Sequence, residues 1–273
     1  MEYLSEFITI KKVQGLRRRT IFDYQKNIHH FFQRYPDCLD DYHQLCHYVS
    51  KYFAVSDISP ATINIWRAYL KSFFSYLVRE GVIPKNPIDF PQRKCECKAR
   101  NISQEVLTEL LKLPDKKTFP GLRDYSLILL TLDTGIRPGE ALSLLTKDIN
   151  LLSLEITIRN EIAKTKVTRT VPISALTATH LQKLLRAHLT TWGDIVPVFC
   201  SYESRPMLET SWGHRLKKYS DRLGYPVTPY SLRHSFALLY LRNGGNVFAL
   251  QRTMGHADLN MTKRYLALTG EDL

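Results

Sequence analysis

Between Ser59 and Gly81 apolar residues recur with the period of an α-helix. Ile63, Trp66, Leu70, Phe73, Phe74 and Leu77 fall at i, i+3, i+7, i+10, i+11 and i+14, one stripe on one face. Ser59 is suited to cap the helix, Pro60 to its first position and Gly81 to its end. The earlier segment TIFDYQKNIHHFFQRYP repeats the spacing through Ile21, Tyr24, Ile28 and Phe31. Together the stripes predict a small helical bundle over residues 1–90. From 82 to 101 the periodicity stops: VIPKNPIDFPQRKCECKARN holds three prolines and five basic residues, and a basic linker is expected over 91–101.

Residues 102–273 read as a second domain of mixed pattern. Helices are expected around 104–113, around 121–133 and from Pro138 to about 145. LEITI at 154–158 alternates, and VTRTVPI at 167–173 is rich in β-branched residues, so the two predict strands of a small antiparallel sheet. Helices resume from about 175. The expected fold class is α+β, mainly α with a small antiparallel β-sheet.

Charge turns this outline toward a partner. The 273 residues include 38 Lys/Arg against 26 Asp/Glu, a formal charge of +12. Residues 1–100 hold 16 basic and 10 acidic side chains and the rest 22 and 16, so each part carries six net positive charges and the basicity is no detachable tail. Such a field concentrates polyanions, with nucleic acid ahead of an anionic membrane. No run of eighteen apolar residues is present and MEYLSEFITIKKV lacks a signal-peptide layout, which predicts a cytoplasmic protein without a membrane span. Lys11, Lys12, Arg17, Arg18 and Arg19 cluster before the second helix, as a solvated face or as a contact to a phosphate backbone; with Lys94 of the linker they are the candidate DNA-binding residues. Of the five cysteines only Cys95 and Cys97 are close, a gap too short for a zinc knuckle, so reduced thiols and no metal site are expected.

Three short stretches carry candidate chemistry. TGIRPGE places Arg137 at a helix mouth, to hold a phosphate beside exposed N–H groups or to pair with the nearby glutamate. TKRY places Tyr265 between cations, as a nucleophile or as a core aromatic beside Met261 and Leu268. PYSLRHSF gathers Tyr230, Arg233 and His234.

Taken together, TLDTGIRPGEALSLLTKDI, KTKVTRTVPI and SLRHSFALLYLRNGGNVFALQRTMGHADLNMTKRY make residues 131–265 resemble the catalytic domain of the tyrosine recombinases, the phage-integrase and Xer-like family. The N-terminal helices resemble that family's core-site-binding domain. The resemblance implies a site-specific recombinase that cuts and rejoins double-stranded DNA through a 3′-phosphotyrosyl link and frees a 5′-hydroxyl, without metal or other cofactor. It implies a homo-tetramer on two paired sites, serving integration, excision, resolution or transposition. Two other readings share the fold: a catalytically weakened DNA-binding accessory protein, and a type IB topoisomerase. The segment LALTGEDL after Tyr265 is short for the exchanged tail by which members link subunits.

By residue, the resemblance puts the two phosphate-clamping arginines on Arg137 and Arg233 and the nucleophile on Tyr265. The leaving-group acid falls on Lys164, seven positions before Val171; Lys166, of the same strand parity, is the alternative. His256 is expected as a second donor to the phosphate. Tyr230 departs from the pattern, because most members have a histidine three residues before the second arginine. A phenol, with an ordinary pKa of about 10, is a poor base at neutral pH, so Tyr230 is expected to position the phosphate. The proton of Tyr265 is left to water, to Tyr230 or to the phosphate. His234 is expected to serve packing and not to fill the gap.

Overall fold

The computed structural model describes residues 2–95, 102–188, 192 and 195–270. The chain divides into two compact units, Met1–Cys97 and Lys98–Leu273.

The first unit contains α1 (Glu2–Val13), α2 (Arg18–Arg34), α3 (Tyr42–Phe53) and α4 (Pro60–Arg79). In α4, Ser59 caps the Thr62 N–H, Pro60 opens the helix, and the chain leaves it at Gly81 with φ of +72°. Ile63, Leu70, Phe73, Phe74 and Leu77 of the expected stripe are buried and Trp66 packs against them. They meet Ile28 and Phe31 of α2 in an aromatic core, with Phe31 edge-on to Phe74 at 5.8 Å and Phe7 of α1 edge-on to Phe73 at 5.2 Å. Each such side chain, fully buried, contributes about 1.5–3 kcal/mol, so this stripe holds the unit together. The expected linker begins as part of it: Asn64 of α4 donates to the Arg93 carbonyl at 2.8 Å and accepts the Arg93 N–H at 2.9 Å. Residues 96–101, the remainder of that linker, lie outside the described residues.

In the second unit, α5 (Gln104–Lys112) precedes α6 (Phe119–Thr134), which packs against both α8 (Ala175–Arg186) and α10 (Pro229–Arg242). Burial on several sides explains the run LILLTL in α6, which shows no single apolar stripe. The sheet has the order β1 (Ile149–Asn150), β2 (Glu155–Ile158), β3 (Arg169–Pro172), antiparallel throughout, with Ile156 opposite Val171 and Ile158 opposite Arg169. The two expected strands pair, while β1 is too short to leave a periodic trace. The helix expected from Pro138 to about 145 is shorter: α7 spans Pro138–Leu142, and a 3-10 turn follows at Thr146–Asp148. Asp148 stops it locally, accepting the Leu145 N–H at 2.9 Å and pairing with Arg159 at 2.8 Å. The remaining helices are α9 (Glu209–Leu223), α11 (Val247–Met254) and α12 (Leu259–Gly270). No helix among the described residues is long and apolar enough to cross a membrane.

Candidate active site

Four junctions of the second unit converge: the α6–α7 turn, the β2–β3 turn with β3, the first turns of α10, and the α11–α12 turn. The first is set by Gly135, which ends α6 at φ +60°. A Cβ there would lie 2.3 Å from the Phe236 ring of α10, so the bare backbone permits both the turn and the helix contact. Arg137 follows in extended conformation, Pro138 starts α7, and the Arg137 N–H donates to Glu140 Oε2 at 3.3 Å.

Arg137 and Arg233 are held by backbone carbonyls more than by acids. Arg137 Nη1 donates to Glu140 Oε1 and to the Met254 carbonyl, both at 3.1 Å, and its Nη2 donates to the Gly255 carbonyl at 2.8 Å. Arg233, 4% exposed, donates to the Gly135 carbonyl, to the Met254 carbonyl at 2.9 Å and to His256 Nε2 at 3.0 Å. The turn after α11 therefore organises both guanidinium groups. A third, Arg169 of β3, donates to Glu140 Oε2 at 2.5 Å and to the Thr253 carbonyl at 3.0 Å. Burial pushes the Glu140 carboxyl up, but the hydrogen bond and charge of Arg169, then Arg137 and the Lys164 N–H, hold it below the ordinary range. Burial and the charge of Arg137 lower Arg233 to about 9, still charged at neutral pH.

The surplus of charge is the electrostatic signature of the site. Arg137 and Arg169 both pair with Glu140, and Arg233, which feels the charge of Glu140 and of both arginines, has no carboxylate bonded to it among the described residues, so the cluster carries two positive charges over in a mostly buried setting. An anion offering several acceptor oxygens is the ligand that this arrangement stabilises.

His256 stands directly after Gly255, whose φ of +61° ends α11, and is 8% exposed. Burial and the charges of Arg233, Arg137 and Arg169 lower it to about 4, so the ring is neutral. A guanidinium only donates; Nε2 is therefore the acceptor toward Arg233, and Nδ1 carries the hydrogen that meets Thr262 Oγ1 at 2.9 Å. Both ring nitrogens thus meet protein partners, Nε2 with Arg233 and Nδ1 with Thr262, and the ring lies directly against the second arginine of the expected phosphate clamp.

Tyr265 of α12 is 4% exposed. Its hydroxyl lies 2.5 Å from His234 Nδ1, and its ring is parallel to that of His256 with centroids 6.3 Å apart. The expectation that His234 serves packing is thus corrected: it is bonded to the candidate nucleophile. Tyr230 is placed differently, 53% exposed in the first turn of α10, on the face it shares with Arg233 and His234 at i+3 and i+4.

Lys164 and Lys166 fall in the turn before β3, which starts only at Arg169. The parity that made them equivalent does not exist, because neither is in a strand and Lys166 has φ +56°. Lys164 donates its backbone N–H to Glu140 Oε1 at 3.3 Å, which ties it to the arginine cluster. Arg169 was missed from the sequence, although it shares a strand face with the core residue Val171 and is thereby turned inward.

In the first unit, the basic candidates sit at one corner. Lys11 and Lys12 end α1, and Arg17, Arg18 and Arg19 begin α2. Lys11 also lies over the rings of Phe7 and Tyr24, and Arg19 pairs with Asp23 at 3.3 Å while staying largely exposed. Lys94 is exposed beside the Asn64 tie.

The sequence model of the phage integrase family matches residues 100–271. A tyrosine recombinase XerD of Lacticaseibacillus casei is 30% identical over 223 residues, 79% of this chain and 75% of that protein. Among solved structures, the Tn1549 transposon integrase in complex with a circular intermediate DNA superposes with a TM-score of 0.76 at 18% identity, covering 96% of this chain and 94% of that one. A lambda integrase tetramer bound to a Holliday junction gives 0.73 at 18% identity, over 94% and 77%.

Proposed function

The chain belongs to the phage integrase family, and from that premise and the site we infer that it is a site-specific DNA recombinase, which breaks and rejoins strands through a tyrosine–phosphate link. The observation that carries this reading is the buried surplus of positive charge from Arg137, Arg169 and Arg233 beside the hydroxyl of Tyr265. In transfer to Tyr265, the phenol oxygen bonds to a backbone phosphorus, the bond to the 5′ oxygen breaks, and negative charge grows on the non-bridging oxygens. Fixed guanidinium donors stabilise that charge without reorganising. Arg137 and Arg233 are the clamp, Glu140 and Arg169 hold Arg137 in place, and His256 with the Met254 carbonyl aims Arg233.

The departing 5′ oxygen needs a proton, and Lys164 supplies it; its tie to Glu140 favours it over Lys166. Tyr230, exposed one turn from Arg233, donates a hydrogen bond to the arriving phosphate. Lys11, Lys12, Arg17, Arg18, Arg19 and Lys94 contact the DNA backbone, and the working assembly is a homo-tetramer on two paired sites, in the cytoplasm. The stored phosphotyrosyl bond makes the cleavage reversible.

A nicked duplex that traps the covalent intermediate tests the reading. Wild type is expected to form a protein–DNA adduct, while Tyr265→Phe forms none and Arg137→Ala and Arg233→Ala are each slowed by about 10²-fold or more. An adduct formed by Tyr265→Phe would sink the nucleophile assignment.

A further inference from the structure

The reaction as derived leaves one proton without a destination, that of the Tyr265 hydroxyl. The residue that fills the expected histidine position, Tyr230, is a phenol in the exposed first turn of α10 and is not the group found against Tyr265. The side chain bonded to Tyr265 comes one turn later on that face. We propose that His234 is a catalytic residue: its Nδ1 accepts the hydrogen bond of the Tyr265 hydroxyl, aims that oxygen, and takes its proton as the oxygen attacks phosphorus. This deepens the recombinase reading and rests on it.

Geometry carries the assignment. The Nδ1–Oη distance is 2.5 Å, short for a nitrogen–oxygen hydrogen bond, and the two rings are 5.5 Å apart at 47°, edge-tilted rather than stacked. Helix α10 supplies His234 from the position next to Arg233, so one rigid element sets both the phosphate clamp and the partner of the nucleophile. The charged and titratable groups shown to act on it are Arg233 on its own helix and His256 and Tyr265 beyond α11, while Arg137, Arg169 and Glu140 act on Arg233 and so reach it only through that neighbour. Burial first, and Arg233 second, lower the imidazole below its ordinary value. At neutral pH the ring is uncharged, and one of its nitrogens is an acceptor. A DNA phosphate settling between the arginines neutralises part of the charge that depresses the ring, and so raises its basicity when the proton must move.

The step balances. The Tyr265 O–H bond breaks and an N–H bond forms on His234; the phenol oxygen bonds to phosphorus; the bond from phosphorus to the 5′ oxygen breaks, and that oxygen takes the Lys164 proton. In rejoining, the imidazolium returns its proton to the departing Tyr265 oxygen.

On a nicked duplex carrying the site that wild type cleaves, His234→Ala is expected to bind as wild type does in a mobility shift and to form adduct about 10²-fold more slowly. Its rate should climb with pH through the alkaline range, where wild type is level, and added imidazole should restore it in part. His234→Gln, which keeps an acceptor without basicity, should share the slow, pH-dependent rate. A substrate with sulfur at the 5′ bridging position needs no leaving-group proton, so it should rescue Lys164→Ala and leave His234→Ala slow. Adduct formation at the wild-type rate and pH profile in both His234 variants overturns the proposal, as does sulfur rescue of His234→Ala; absence of adduct from wild type sinks the recombinase reading instead. If His234→Ala fails to fold, nitrogen NMR of the histidine rings in the wild-type protein decides. An unprotonated Nδ1 that shifts on Tyr265→Phe supports the assignment, and a protonated or unmoved one overturns it.

Discussion

At the scale of single residues, the site distributes roles unlike the sequence pattern suggests. Tyr230 stands where the family resemblance led to the expectation of a histidine, yet on the proposal above the proton goes to His234, so removing the Tyr230 hydroxyl should remove only one hydrogen bond to phosphate. Tyr230→Phe is expected to slow adduct formation by about tenfold or less, since such a bond contributes about 1 kcal/mol. Tyr230→His should leave the rate within about tenfold of wild type, because the base is already in place. His256 gives a different measurable signature. Burial first, then Arg233, Arg137, Arg169 and His234, lower it from 6.5 to about 4, so the unfolded chain binds a proton that the folded chain refuses between those values. Stability therefore rises with pH through this window and is lost as pH falls from about 6.5, by up to about 3 kcal/mol. In denaturant melts from pH 7 to 5, His256→Asn should show a flatter stability than wild type. Below about 4.5 the loss from protonating Glu140, whose carboxyl is held below the ordinary value, should persist in that variant. Arg137, Arg233 and Tyr265 could be singled out as candidates from residue type and spacing, and the structure brings them together, the two arginines on the Met254 carbonyl and Tyr265 near Arg233. The bond of His234 was not legible in this way, since it depends on how α12 turns back against α10 and no local pattern records that.

At the scale of elements, the helix ends decide where the site residues arrive. Gly135 and Gly224 both close helices in the left-handed region, at φ +60° and +64°. They differ in surroundings: a Cβ on Gly135 would strike the Phe236 ring at 2.3 Å, whereas a Cβ on Gly224 would meet nothing within 4 Å. Gly224→Ala should therefore cost only the strain of the turn, about 1–2 kcal/mol. Gly135→Ala adds overpacking of about 1–3 kcal/mol and pushes on α10, the helix that carries Arg233 and His234. Calorimetric melts should show the larger drop for Gly135→Ala, and adduct formation should fall only in that variant. The long elements were readable for a related reason. The α4 stripe is amphipathic because one face is solvated, and its cap, proline and glycine are local signals. The end of α7 and the two-residue β1 were not, because the first depends on Asp148 capturing the Leu145 N–H and the second on pairing alone.

At the scale of the molecule, the charge is shared evenly between the first hundred residues and the rest, and the two shares do different work. In the catalytic unit part of the basic charge is buried, oriented by carbonyls and shared over Glu140, so its loss should damage chemistry. In the first unit the corner formed by Lys11, Lys12, Arg17, Arg18 and Arg19 is mostly exposed, and its side chains would bind phosphate by releasing counterions. Every side chain withdrawn from a phosphate lowers the slope of log binding constant against log salt by about 0.9. Replacing Lys12, Arg17 and Arg18 together with alanine should reduce that slope by about 2–3 and weaken binding on specific and unrelated duplexes alike. The three side chains are exposed and leave the Lys11 contact to Phe7 and the Arg19 pair with Asp23 in place, so the fold should stay intact. Adduct formation at saturating protein should remain near wild type, because the clamp and nucleophile are untouched. A salt slope that does not change would place the phosphate-binding side chains elsewhere, and a slower saturated rate would mean that the corner also sets how DNA is presented to Tyr265.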